Sequence, residues 1–150
     1  STLRLHGFQV FEAESGDHAV PRLHQGRIDV LVTDIVMPGE LDGWALGERA
    51  RRIDPGIAVV YSSSRPADRE RQVGRSRYLR KPYHPDALIE AIHPLTARRE
   101  DGDPANLSVC VLVLSGENLV LASGRMDAGR LVSLVAEKLQ CAPGFLPAST

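Results

Sequence analysis

Short apolar runs alternate along this chain with longer stretches of helical spacing. The runs rich in Val, Ile, Leu and Phe predict strands, because β-branched and aromatic residues favour extended backbone. The predicted strands are GFQVFEA at 7–13, IDVLVTD at 28–34, IAVVYS at 57–62 and RYLRKP at 77–82. In the second and third of them apolar residues occur at both odd and even positions, which is typical of strands covered on both faces.

Three helices are predicted between or after these strands. Ser15 and Asp42 are each placed to cap the first turn of a helix. The second helix is expected to end at the Asp-Pro-Gly sequence of 54–56, and the third to begin with Pro85 in its first turn. The apolar residues of the third helix follow helical spacing: Leu88, Ile89, Ile92 and Leu95.

Prolines and an arginine-rich stretch interrupt this helical pattern. Pro21 lies beyond the first turn of the first helix and is expected to shorten or kink it. Pro94 is expected to end or bend the last helix. The polar segment 65–76, RPADRERQVGRS, predicts one short helix at most.

The alternation of strands and helices indicates an α/β fold, a doubly wound parallel sheet with helices on both faces. The polar segment 99–108 contains Gly and Pro and predicts a linker. It separates a domain at 1–98 from a small extension at 109–150. Within this extension the pattern predicts a strand, a turn, a second strand and an amphipathic helix.

Composition narrows the classes of function. Eighteen Lys and Arg residues against nineteen Asp and Glu give a formal net charge of -1, so charge gives no reason to expect nucleic-acid or membrane-surface binding. Cys110 and Cys141 are far apart and in no metal-type spacing, which favours a reduced, cytoplasmic setting over the alternative of a single disulfide. No apolar stretch approaches the roughly 20 residues of a membrane span, and the first residues do not resemble a signal peptide.

Three predicted strands carry polar groups at their carboxyl ends. Asp34 ends the second strand, Ser62 the third, and Lys81 the fourth. Ligands of open α/β sheets bind beyond the carboxyl ends of the strands, where these groups would converge. A carboxylate nucleophile, an ammonium group and a hydroxyl donor suit the transfer of a phosphoryl group to Asp34.

These residues lie in the motifs LVTDIVMPGELDGW, VVYSS and YLRKPY, and in this order the motifs resemble the receiver domains of two-component response regulators. The resemblance covers roughly residues 3–95 and implies a flavodoxin-like fold. It implies that Asp34 is the phosphorylated aspartate, that Ser62 contacts the phosphoryl group and that Lys81 forms an ion pair.

The same resemblance assigns three further features. Tyr78 matches an aromatic residue that turns inward when the hydroxyl moves. The main-chain carbonyl of Val36 matches a metal ligand beside Asp34, and the Lys81–Pro82 bond is expected to be cis.

One part of the family's pattern is missing at the amino end. The strand that normally opens the domain, most of the first helix and the two acids that hold Mg²⁺ have no counterpart before residue 7. Magnesium binding is therefore expected to be weak or absent. A fragment, a misplaced start or a degenerate copy would each explain the difference.

The apolar run VCVLVL at 109–114 resembles the missing strand, and Glu117 follows near where an acid is needed. It could fill the vacant position, by folding back or from another chain. A plain hairpin and helix packed outside the sheet is the favoured expectation.

The predicted function is a receiver that accepts a phosphoryl group on Asp34 from a sensor histidine kinase or phosphotransfer protein and signals through protein–protein contact. It would not be an enzyme beyond autocatalysed phosphoryl acceptance, and a homodimer is left open. The alternative is a pseudo-receiver that binds partners without being phosphorylated. A phosphohydrolase of the haloacid dehalogenase type would need a second carboxylate where this chain has Val36.

Overall fold

A computed structural model of the chain describes residues 8–26, 28–36, 39–97, 108–113, 119–121, 124–126, 130 and 133–134. Its helices are α1 (Gly16–Gln25), α2 (Gly43–Ile53) and α3 (Pro85–Ala97). Its strands are β1 (Phe8–Ala13), β2 (Val30–Asp34), β3 (Ala58–Ser63), β4 (Ser76–Arg80), β5 (Ser108–Val113), β6 (Leu119–Leu121) and β7 (Gly124–Met126). The predicted α/β class is confirmed.

Five strands form one parallel sheet in the order β1-β5-β2-β3-β4. Strand β5 comes last of the five in sequence, yet it pairs with β1 on one side and β2 on the other. Val111 is level with Phe11 and with Leu31. The position between β1 and β2 is therefore occupied by a strand from the carboxyl-terminal part of the same chain.

This placement corrects one expectation about the extension. The prediction of a hairpin packed outside the sheet is wrong for β5, which lies inside the main sheet. The hairpin that does form joins β6 to β7, which are antiparallel and make a separate two-stranded sheet. The division into a domain at 1–98, a linker and an extension stays a prediction, and Glu117 and most of the predicted last helix lie outside the described residues.

Side chains of the parallel strands alternate between two covered faces. The face toward α1 and α2 carries Leu31, Val59 and Tyr61, which are fully buried in one apolar cluster with residues of both helices. The opposite face carries Val32 and Val60, also fully buried, on the side where α3 packs against β2, β3 and β4. Asp34 and Ser62 continue this second row, so their side chains leave the sheet on the α3 side.

The predicted helix starts are confirmed. The Ser15 side chain accepts a hydrogen bond from the His18 N–H at 3.2 Å, and Asp42 Oδ1 accepts one from the Ala45 N–H at 2.8 Å. These bonds satisfy main-chain donors that a helix leaves without an internal partner.

Neither proline ends its helix. Helix α1 continues past Pro21 to Gln25, and α3 continues past Pro94 to Ala97. No helix forms in the described segment 64–75 that joins β3 to β4. Among the described residues, no helix has the length and apolar character needed to cross a membrane.

Candidate functional site

Asp34 lies at the carboxyl end of β2, in the interior of the sheet, and its side chain is only 2% exposed. The Lys81 Nζ lies 3.2 Å from Asp34 Oδ1, and the lysine side chain is 18% exposed. Water screens an ion pair at this depth only weakly. Removal of either charge would therefore leave the other without the attraction that offsets its burial. The structure thus brings together the two charged residues that the sequence predicts.

Ser62 is fully buried on the neighbouring strand, directly level with Asp34. The two side chains project from the same face of a parallel pair, whose strands are about 4.8 Å apart. The Ile35 N–H donates to the Ser62 carbonyl at 3.0 Å and extends the pairing beyond Asp34. Ser62 and Asp34 therefore lie side by side at the carboxyl ends of two paired strands.

Lys81 reaches this site from the end of β4. Its N–H donates to the Ser63 carbonyl at 2.8 Å, which ties the start of the loop to β3. The Lys81–Pro82 peptide bond is cis, as the sequence predicts.

Tyr83 is a fourth member of the site, for which the sequence predicts no role. It is 7% exposed, and Ser62 Oγ donates to its hydroxyl at 3.4 Å. Burial raises the pKa of Tyr83 to about 12; the negative charge of Asp34 adds to the rise, and the Ser62 hydrogen bond opposes it. Its place directly after Lys81-Pro82 and before α3 was the only signal in the sequence.

Tyr78 stands apart from this group. It is level with Tyr61 on β3, so it faces the α2 side of the sheet, where its ring stacks on Trp44 at a centroid distance of 6.0 Å. Its hydroxyl donates to the Arg65 carbonyl. Its switching role stays a prediction. Trp44 itself is packed in the core and is 8% exposed.

The sequence model of the response regulator receiver domain matches residues 1–93, more than half of the chain. The chain belongs to the response regulator receiver family. This family membership agrees with the resemblance carried by the motifs around Asp34, Ser62 and Lys81.

Two curated relatives illustrate the range of similar receivers. The response regulator receiver protein CpdR of Brucella abortus is 32% identical over 100 residues, which cover 59% of this chain and 77% of CpdR. The probable transcriptional regulator ycf29 of Porphyra purpurea is 32% identical over 98 residues, which cover 61% of this chain but only 46% of ycf29. The chain thus spans most of one relative and less than half of the other.

A solved structure gives the same assignment. The crystal structure of a response regulator receiver protein from Sinorhizobium medicae superposes with a TM-score of 0.56 at 27% identity. The match covers 63% of this chain and 98% of that protein. The flavodoxin-like receiver fold is confirmed.

Helix α2 begins at Gly43, where the main chain passes very close to the end of β2. The Gly43 N–H donates to the Ile35 carbonyl at 2.8 Å, which brings the helix start against the end of β2. A Cβ atom at Gly43 would lie 2.2 Å from the Asp34 carbonyl oxygen and 2.7 Å from the Ile35 Cα. Only a residue without a side chain allows this approach. The close contact fixes the start of α2 against the main chain that follows Asp34.

Replacing Gly43 by alanine is expected to lower the free energy of unfolding by about 2 kcal/mol, because the clashing atoms belong to the main chain and cannot rotate away. Urea unfolding followed by circular dichroism measures the loss. Gly74→Ala is the matched control, since nothing lies within 4 Å of a Cβ there. Equal losses in the two variants would contradict the close approach at Gly43.

The described site offers few ligands for the magnesium ion that the family binds. Within the part of the chain that the structure describes, no group of three or more His, Cys, Asp or Glu side chains could hold a metal. The carboxylate of Asp34 is paired with Lys81, and Asp42 caps α2. One carboxylate and the Val36 carbonyl fall short of a magnesium site, which usually combines carboxylates, waters and phosphate oxygens. The described residues do not fit the ion.

Proposed function

We propose that this receiver accepts a phosphoryl group on Asp34 and passes the signal on through protein–protein contact. The observation that carries the proposal is the Asp34–Lys81 ion pair of 3.2 Å with the Ser62 hydroxyl on the adjacent strand. These are a nucleophile, a cation and a hydrogen-bond donor at one point.

The proposed step is a displacement at phosphorus. An Asp34 carboxylate oxygen attacks, the bond from phosphorus to the donor's leaving group breaks, and the leaving group departs with the electron pair. The product is an acyl phosphate on Asp34. The ammonium of Lys81 offsets the added negative charge, and the Ser62 hydroxyl donates to a phosphoryl oxygen.

The donor is proposed to be a histidine kinase or a phosphotransfer protein, the partners with which receiver domains interact. The response would be a change in the surface around β4 and α3, which a protein partner would read. The chain would then act as a signalling domain in the cytoplasm, with no catalytic turnover of its own.

A second candidate function is that of a pseudo-receiver. It is favoured because the described site contains a single carboxylate, that of Asp34, where a magnesium site needs more ligands. With too few ligands for a metal among the described residues, the chain would then serve as a binding module that does not take phosphate. The burial of Asp34 favours the same alternative, because a donor must reach a carboxylate that is 2% exposed.

Intact-mass spectrometry after incubation with acetyl phosphate distinguishes the two functions. We expect the wild-type chain to gain one phosphoryl group and Asp34→Asn to gain none. Asp86→Asn is the matched control and should gain the group, since that carboxylate is 54% exposed and paired with His84 outside the site.

Parallel samples with and without Mg²⁺ show whether a metal contributes to the reaction. No mass gain in any sample of folded protein would contradict phosphorylation of Asp34 and support the pseudo-receiver. A gain that persists in Asp34→Asn would mean that another residue accepts the group.

A further inference from the structure

The Ser62 hydroxyl already has a partner in the unphosphorylated site. It donates to the Tyr83 hydroxyl at 3.4 Å, and both side chains are buried, with exposures of 0% and 7%. A serine hydroxyl carries one hydrogen and can donate it to one acceptor at a time. The bond to Tyr83 and a bond to a phosphoryl oxygen on Asp34 therefore compete for the same hydrogen.

We infer that Tyr83 is a positioning residue that holds the Ser62 hydroxyl away from Asp34 and so opposes phosphoryl acceptance. The inference rests on the proposed phosphorylation of Asp34. Geometry gives Tyr83 this place, because the residue lies between Lys81, which contacts Asp34, and the start of α3, which covers the same face of the sheet.

The tyrosine hydroxyl is suited to this task because it stays neutral. The Tyr83 hydroxyl is a neutral acceptor at physiological pH, as that of an ordinary tyrosine is, and burial raises its pKa further, to about 12. A phenylalanine at the same position would fill the same space but could not accept from Ser62. The buried serine hydroxyl would then gain most from a phosphoryl oxygen as its acceptor.

Tyr83→Phe is expected to raise the rate of phosphoryl incorporation from acetyl phosphate about two- to five-fold, as measured by intact-mass spectrometry over time. The expected factor is modest because 3.4 Å is long for a hydroxyl–hydroxyl bond, which places it at the low end of the usual net stabilisation. The fold should persist because only one oxygen is removed.

The control for a lost tyrosine hydroxyl is Tyr61→Phe. That hydroxyl is on the opposite face of the sheet and accepts from the Val73 N–H. This variant should incorporate phosphoryl groups at the wild-type rate.

A double-mutant cycle with Ser62→Ala tests the proposed route. If Tyr83 acts through the Ser62 hydroxyl, Tyr83→Phe changes the rate in the wild-type background and leaves it unchanged in Ser62→Ala. The same change in both backgrounds would overturn the inference, since a merely structural role of Tyr83 would be felt in either.

Unfolding measurements on the same four proteins separate this inference from the proposed function. A coupling between Tyr83→Phe and Ser62→Ala in urea midpoints shows that the contact exists in the unphosphorylated protein. If no variant gains a phosphoryl group, the proposed function fails and the inferred opposition to phosphorylation fails with it. If the wild type is phosphorylated but the two substitutions show no coupling in rate or stability, the inference alone is overturned.

Discussion

Proline in place of Val111 is expected to destabilise this protein strongly, whereas proline in place of Val120 should leave the main sheet intact. Val111 lies in the middle of β5, which pairs with β1 and β2 at once. Proline has no N–H to donate to a neighbouring strand, and its ring is tolerated only at sheet edges and bulges. The expected loss is about 3 kcal/mol or more, a large part of the 5–15 kcal/mol that ordinarily stabilises a domain.

Val120 offers the matched control because it is the same residue type in a strand of a different sheet. It pairs with Arg125 in the short hairpin of β6 and β7. Urea unfolding monitored by circular dichroism should show a transition of the main sheet near the wild-type midpoint for Val120→Pro and at a much lower urea concentration for Val111→Pro. Equal and small effects would contradict the central position of β5.

The concentration dependence of unfolding adds a second test of the same strand. A strand supplied by the chain itself gives an unfolding midpoint that does not change with protein concentration. A strand donated by a second copy would raise the midpoint as concentration rises, because association stabilises the folded state by mass action. We expect no dependence for the wild-type protein.

Local signals account for what the sequence predicted well. The two-faced apolar runs of β2 and β3 and the caps Ser15 and Asp42 depend on near neighbours in the chain. The place of β5 does not. Its apolar run predicts a strand. Its neighbours in the sheet, however, depend on pairing with residues some 80 to 100 positions away in the sequence. The same run is compatible with a hairpin outside the sheet, and for that reason the favoured prediction was wrong.

The residues of the site likewise divide into those whose proximity the sequence predicts and those whose contacts it does not. Asp34, Ser62 and Lys81 could be predicted to lie together because parallel strands bring their carboxyl ends to one edge of a sheet. Tyr83 lies in the turn between β4 and α3, and its contact with Ser62 depends on how that turn folds over the sheet. The periodicity of apolar residues and their helix or strand propensities carry no information on how such a turn folds.

The second large effect is expected at the Asp34–Lys81 pair. Replacing Lys81 by methionine keeps most of the side-chain volume but removes the ammonium, and the carboxylate of Asp34, 2% exposed, loses its cation. Removing one partner of a buried ion pair typically costs about 4 kcal/mol. We expect a loss of this size in the free energy of unfolding at pH 7, measured in urea.

Asp34→Asn should destabilise the protein much less, because the Lys81 side chain is 18% exposed and its flexible stem can carry the ammonium to water. The double variant Asp34→Asn/Lys81→Met should therefore recover most of the stability that Lys81→Met loses. Arg77→Met, at an exposed position of β4, controls for removal of a cation and should change stability by no more than about 0.5 kcal/mol. If Lys81→Met costs no more than this control, the pair is effectively solvated and Lys81 cannot offset the charge of a phosphoryl group as strongly as proposed. If it costs several kcal/mol and the double variant recovers it, the ammonium of Lys81 stabilises the buried Asp34 side chain in the unphosphorylated site.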